Sequence, residues 1–336
     1  MSNLNLSEVA RSLELYILSK NLSDAATNGQ IILEFTKEPF LRNREDVKNV
    51  VVAFGSYDPL SIAHEELFLK GLEVIREEQS TKSLDELVIV TSTTHFEKKI
   101  DWQKNSAIYD RVHAQEGFAS SYNNVSLAFF NNPYFIKLAP AIQNKYGPQT
   151  KIHFIVGADV MIKIVDANEY VKRGIDPNNM WTQIFKNKFI VSERSVKIDG
   201  HETIIKLGDI IEKYPVLKKY SSQLIEVSLP KEHDKLMIPI QDVSSTLIRT
   251  KRNNHEDATA LEAVGISDFV DRRYIYLEKG DKYAAFVCAR QRFADNNKGK
   301  PIASYIGEVM QYLELLDNNS ELRKKEINNY ISNNKC

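Results

Sequence analysis

Cysteine is scarce. Only Cys288 and Cys336 occur in 336 residues, far apart and in no CxxC pair or Cys/His cluster. Their scarcity excludes a disulfide scaffold or a thiolate zinc site and points to a reducing compartment. An excess of one charge is also missing, with 44 basic and 45 acidic side chains and a formal net charge of −1. Without a general field to draw in nucleic acid or an anionic membrane, an anionic partner must be held by a local site. No stretch approaches the roughly 18 apolar residues of a membrane span. The opening MSNLNLSEVARSLELYILSK is polar throughout and lacks the apolar centre of a signal peptide. The expectation is a cytoplasmic protein that binds neither membrane nor nucleic acid. The 13 glycines never fall as GxGxxG or GxxxxGK[ST], which removes the dehydrogenase fingerprint and the Walker A loop.

What is present is ample core material: 43% hydrophobic residues, with 15 Phe and 15 Tyr. A chain of this length suggests two domains or one α/β domain with additions. Leu6, Val9, Ala10, Leu13 and Ile17 recur at helical spacing and predict an amphipathic helix as a preamble. Val47 to Phe54 (VKNVVVAF) ends in a run of mostly β-branched residues, as a parallel strand buried on both faces requires. Gly55 ends it, and after GSYDPLS the stretch Ile62 to Glu78 is periodic as a helix. The alternation continues with strands over 86–91, 125–130, 151–156 and 188–193 and helices over 108–118 and 134–145. Such alternation predicts right-handed βαβ units in a doubly wound parallel sheet. Ligands of such sheets sit beyond the carboxyl ends of the strands, here Gly55–His64, Thr91–Lys99, Gly157–Asp159 and Arg194. From about Asp242 the chain reads as helical, and it ends in NNSELRKKEINNYISNNKC, expected to be a solvated helix with a frayed tail.

The segment Gly55-Ser56-Tyr57-Asp58-Pro59-Leu60-Ser61-Ile62-Ala63-His64 supplies a phosphate site of another kind. A buried strand turns at Gly55 and delivers Ser61 and His64 to the first turn of a helix, where free N–H groups and the positive dipole end favour an anion. Hydroxyl and imidazole, three residues apart, share one helix face. Much later, Asp242-Val243-Ser244-Ser245-Thr246-Leu247-Ile248-Arg249 reads as a second helix start with hydroxyl caps and a guanidinium one turn on, all donors suited to polyphosphate oxygens.

Together these motifs resemble the nucleotidyltransferase superfamily of class I synthetase-like α/β fold, whose signatures are GxFDPx[HT]xGH and [IV]SSTxxR. Here they read GSYDPLSIAH and VSSTLIR. Gly157-Ala158-Asp159 after a strand, Trp181 downstream and Arg194 after KFIVSE narrow the likeness to the nicotinamide or nicotinate mononucleotide adenylyltransferases. The resemblance covers roughly residues 47–277, including DFVDRRYIY at 268–276. It divides the chain into an N-terminal helical extension (1–45), a Rossmann-like nucleotidyltransferase domain (46–280) and a C-terminal helical extension (281–336).

The resemblance implies transfer of AMP from ATP to a pyridine mononucleotide by direct in-line displacement, with Mg²⁺ carried by the phosphates and no metal held by protein ligands. It implies catalytic roles for His64, Ser61 and Arg249. Gly55, Ser56, Tyr57, His64, Gly157, Asp159, Ser244, Ser245, Thr246 and Arg249 are its ATP-binding set, with Gly157 and Asp159 at the adenosine ribose. Trp181 is implied to stack on the pyridine ring, and Lys98 or Lys99 and Arg194 to contact the mononucleotide. His95 and His153 read as structural or solvent-facing, and Trp102 shares a loop with His95.

Ser61 departs from the usual His or Thr. The link 166–179 is longer than the family's, and 195–241 is long and charged, suggesting subunit contacts or a lid. Alternatives are transfer to phosphopantetheine or a phosphorylated alcohol, or a regulatory protein that keeps the fold without turnover. Amide against acid preference stays open, as does oligomeric state, a homo-oligomer included.

Overall fold

The computed structural model describes residues 5–38, 46–77, 84–93, 107–198, 201–230, 233–234, 236–266 and 281–333. The segments carrying His95, Lys98, Lys99, Trp102 and DFVDRRYIY lie outside the described residues.

Among the described residues the strands are β1 (Leu33–Lys37), β2 (Val47–Phe54), β3 (Leu84–Ser92), β4 (Val125–Phe130), β5 (Lys151–Gly157), β6 (Lys188–Ser192), β7 (Arg194–Ile198), β8 (His201–Ile205) and β9 (Leu224–Val227). Seven form one sheet in the order β1-β4-β3-β2-β5-β6-β9, parallel except that β1 runs antiparallel on β4. The expected doubly wound sheet is therefore present. β2 pairs with β3 on one side and β5 on the other, so the topological switch point lies at its carboxyl end.

The strands are continuous apolar runs because both faces are covered. On β2, Val51 and Ala53 face one buried cluster while Val50 and Val52 face the other. The first cluster takes α2 (Ile62–Glu77), α3 (Ile108–Ser120) and α9 (Ser245–Asn253), through residues such as Phe68, Phe118 and Ile248. The second takes α4 (Phe135–Tyr146), α5 (Ala158–Val165), α7 (Pro177–Ile184) and α8 (Leu207–Lys213). Between α5 and α7 the short α6 (Ala167–Val171) and a turn fill the link flagged as long, and Asp176 caps α7 by accepting the N–H groups of Asn178 and Asn179.

Two regions differ from expectation. β1 is an added antiparallel edge strand. The region 195–241 folds largely as the β7–β8 hairpin, α8 and β9, which extends the main sheet beside β6. The C-terminal part is helical as expected: α10 (Asp281–Asn296), α11 (Ile306–Asn318) and the largely exposed α12 (Ser320–Asn333) pack on one another and on the preamble helix α1 (Leu6–Thr27). Polar contacts do much of this docking. Glu326 of α12, with a side chain only 5% exposed, accepts from Arg292 of α10 and from the Tyr312 hydroxyl of α11. Both extensions also reach the main core, because Leu15 and Leu22 of α1 and Tyr283 and Val287 of α10 share a cluster with Leu60 and Ile62. No helix among the described residues is long and apolar enough to cross a membrane.

Candidate active site

β2 delivers the chain to the switch point, where the Gly55 N–H donates to the Val90 carbonyl. Tyr57, at φ 37°, folds its ring back over Gly55. A Cβ at position 55 would lie 2.8 Å from Tyr57 Cζ, so only glycine leaves the ring its place. From there the Tyr57 ring meets the His64 and Phe68 rings edge-on, with centroids 5.2 and 5.7 Å away. The motif aromatic thus shapes the turn and walls His64.

Ser61 is fully buried and pairs with Glu262 in an antiparallel bridge, which fixes its backbone. Its N–H donates to His64 Nδ1 at 3.1 Å, and its hydroxyl lies 2.7 Å from the same nitrogen. A ring nitrogen that accepts from a backbone N–H carries no proton. His64 is therefore the Nε2–H tautomer, with its one donor on the nitrogen away from Ser61. Burial, and then the positive Arg194, push the His64 pKa down from 6.5 to about 3, so the ring is neutral at ordinary pH. Ser61 is in effect an orienting group: it aims the imidazole.

The second motif docks on the first. Ser244 caps α9 by accepting the Leu247 N–H, the Ser245 hydroxyl donates to the Pro59 carbonyl at 2.7 Å, and Arg249 Nη1 donates to the Asp58 carbonyl. Arg249 Nη2 also reaches the Thr246 hydroxyl at 3.2 Å. Arg194, where β6 passes into β7, donates to the Val243 carbonyl at 3.1 Å and is close enough to influence His64. His64, Ser61, Arg194, Arg249 and the start of α9 therefore converge beyond the carboxyl ends of β2 and β6.

Gly157 ends β5 and Asp159 begins α5. Asp159 Oδ1 would stand 2.6 Å from a Cβ at 157, so the glycine makes room for this carboxylate. Asp159 lines a cavity of about 570 Å³ that also opens on Gly55, Ser56, Phe54, Tyr134, Tyr170 and Met180. Its aromatic and aliphatic wall beside the Gly55 turn is interrupted by charged side chains, with Lys163, Asp166, Glu169 and Arg173 joining Asp159, so it can offer both a face to a ring and partners to polar groups.

Trp181 does not line it. The indole is 7% exposed within the second core cluster, and its Nε1–H donates to the Ile164 carbonyl at 3.0 Å. The stacking role expected for Trp181 is thus corrected: the ring is held in the core by packing and by that bond. The aromatics on the wall are Phe54, Tyr134, Phe135 and Tyr170, of which Tyr134 stands just past β4. The strand-end rule applied to β4 would have found it. His153 is buried in β5, as a structural histidine.

The fold and this site define an α/β protein whose two sequence motifs meet at the switch point of a doubly wound sheet. No known family model matches the chain, and no curated protein matches it in sequence. It is similar to solved structures of the Plasmodium falciparum nicotinic acid mononucleotide adenylyltransferase. Against the complex with APC, identity is 18%, coverage is 68% of this chain and 96% of that one, and the TM-score is 0.42. Against the complex with NaAD the values are 18%, 70%, 98% and 0.42. A putative nicotinate-nucleotide adenylyltransferase from Vibrio parahaemolyticus is similar at 12% identity, over 69% of this chain and 97% of that one, with a TM-score of 0.37. With identities this low, the residues of the site must carry the functional reading themselves.

Proposed function

We propose that this chain is a nucleotidyltransferase that moves AMP from ATP to a pyridine mononucleotide, nicotinamide or nicotinate, giving a dinucleotide and pyrophosphate. The observation that carries the reading is the docking of the VSSTLIR helix start on the GSYDP turn through Ser245 and Arg249. It gathers two helix N-termini, a neutral imidazole with one outward donor and two guanidiniums beside an aromatic cavity. That donor set suits a triphosphate, and the cavity suits a flat ring.

In the mechanism we infer, the mononucleotide phosphate attacks the α-phosphorus of ATP in line, and the bond to the bridging oxygen of pyrophosphate breaks. No covalent enzyme intermediate and no protein base is needed, because the attacking phosphate oxygen is already an anion. His64 Nε2–H donates to the triphosphate as charge builds on the leaving group, Arg249 and the α9 N-terminus hold the terminal phosphates, and Asp159 accepts from the ribose. The side chains gathered here are donors for anion oxygens, so they fit phosphates that bring Mg²⁺ with them rather than the ion itself. When bound, the ion neutralises triphosphate charge.

The test is chromatographic. ATP and Mg²⁺ are incubated with each mononucleotide in parallel and with phosphopantetheine as a third acceptor. Dinucleotide from at least one mononucleotide is expected. Product from phosphopantetheine alone would refute the pyridine assignment, and no product from any acceptor would favour a fold retained without turnover.

A further inference from the structure

Gln241 belongs to neither motif, yet it stands three residues before the Ser244 cap, in the single helical turn Ile240–Asp242 that leads into α9. The residue is 3% exposed, and its Nε2 donates to Glu193 Oε1 at 3.1 Å and to the Leu229 carbonyl at 3.3 Å. Carboxylate and carbonyl oxygens can only accept, so the amide nitrogen must lie on that side. Glu193, buried between β6 and β7, precedes Arg194, which donates to the Val243 carbonyl. Two adjacent residues at the end of β6 are thus bonded to positions 241 and 243, and Leu229, just past β9, adds a third point. The fully buried Ile240 and Val243 set how deep this turn sits, but apolar contact has no direction. The hydrogen bonds supply it.

We propose that Gln241 is a positioning residue: by bridging Glu193 and the Leu229 carbonyl it fixes the turn from which α9 starts, and with it the aim of the α9 N–H groups and of Arg249 at a nucleotide's phosphates. The inference rests on the phosphate-binding reading given above. Donors of a polyphosphate site act together, and a misplacement of about 1 Å can cost about a hundredfold. A carboxylate in place of the Gln241 amide would face Glu193 as a like charge and the Leu229 carbonyl as a second acceptor, so the turn must move away from both. The loss should fall on ATP, because the aromatic cavity is lined by other parts of the chain, from Phe54 to Ile184.

The test measures ATP and mononucleotide binding by calorimetry at pH 8, well below the melting temperature. Gln241→Glu is expected to raise the ATP Kd about tenfold or more and to leave the mononucleotide Kd within about twofold. Adding Glu193→Gln puts one amide and one carboxylate back across the same gap and should return the ATP Kd to within about threefold of wild type. A merely structural bridge would lower the melting temperature while the folded protein bound ATP normally. An ATP Kd for Gln241→Glu within about twofold of wild type overturns the inference, as does an equal loss for both ligands or a double variant no better than the single. If Gln241→Glu fails to fold, Gln241→Met, which removes the donor without adding charge, carries the test. A rise in ATP Kd beyond about twofold with mononucleotide binding unchanged then supports the inference, and no rise overturns it. Wild-type protein that binds ATP yet forms no dinucleotide refutes the acceptor assignment alone. Wild-type protein that binds no ATP overturns the phosphate reading and this inference together.

Discussion

Acid should destabilise this protein through His64, by an amount the site geometry sets. In the unfolded chain a histidine takes up its proton near pH 6.5, whereas folded His64, desolvated and facing Arg194, does so only at about 3. The unfolded state therefore binds more protons between those values. This contribution leaves stability at its maximum above pH 6.5 and removes it progressively as pH falls, levelling off near 3. Integrated from pH 8 to pH 5, the loss is about 2 kcal/mol. Protonation would also forfeit the Ser61 N–H bond to Nδ1, an independent geometric reason for the same sign. The assay is urea unfolding of wild type and His64→Gln at pH 8 and pH 5. Other titrating groups, including the half-buried and likewise depressed His113, act in both proteins and cancel. The stability difference should move by about 2 kcal/mol in favour of the variant on acidification. A difference that stays flat to within about 0.5 kcal/mol would refute the claim that the imidazole is held neutral.

Three other outcomes follow from the same geometry. His64→Ala should lower kcat by roughly 10²–10³-fold, the loss of one preorganised donor to developing charge, with little change in mononucleotide KM; an unchanged kcat in steady-state assays would remove His64 from the leaving-group side. Tyr134→Ala should raise mononucleotide KM about tenfold, while Trp181→Phe leaves KM within about twofold and instead lowers stability by about 1 kcal/mol, since it removes one bond to an Ile164 carbonyl that keeps the Tyr170 hydroxyl, so the reverse pattern in kinetics and thermal melts would restore Trp181 as the stacking ring. Deleting 320–336 should cost about 2 kcal/mol or more, because Arg292 and Tyr312 lose Glu326, yet leave kcat within about twofold; unchanged melting would mean that α12 adds nothing to the fold.

Sequence reading succeeded where one physical signal dominated. β2 to β6 were legible because strands buried on both faces must be continuous apolar runs, and their ends fell within a residue or two of the expected positions. The elements it missed carry weaker or different signals. β1, LEFTK, is short and half-polar as an edge strand. The β7–β8 hairpin is joined in sequence by Asp199-Gly200, a turn signal that the high charge of the region obscured. α12 is the solvated helix its polar sequence predicts, and what that sequence does not announce is its tie to α10 through a buried carboxylate and two arginine contacts. Periodicity measures apolar faces and does not register helices docked by ion pairs.

The site divides along the same line. Residues whose function is local, such as the Ser244 cap or the Gly55 turn, can be read from neighbours in the chain, because the chemistry that needs them lies within one turn of helix. Residues whose function depends on direction cannot. Ser61 was expected to touch phosphate in the place of a larger donor, yet its N–H and hydroxyl both point at His64 Nδ1. A smaller side chain there is thus compatible with chemistry: the position sets a tautomer, and a backbone N–H meets that need whatever side chain the residue carries. Trp181 shows the converse, since its place in the chain suggested a ring for stacking and its hydrogen bond to Ile164 turns the ring into the core. Spacing along the chain determines which residues arrive at the carboxyl ends of the strands. Hydrogen-bond partners, His64 for Ser61 and Ile164 for Trp181, determine what each of them offers a ligand there.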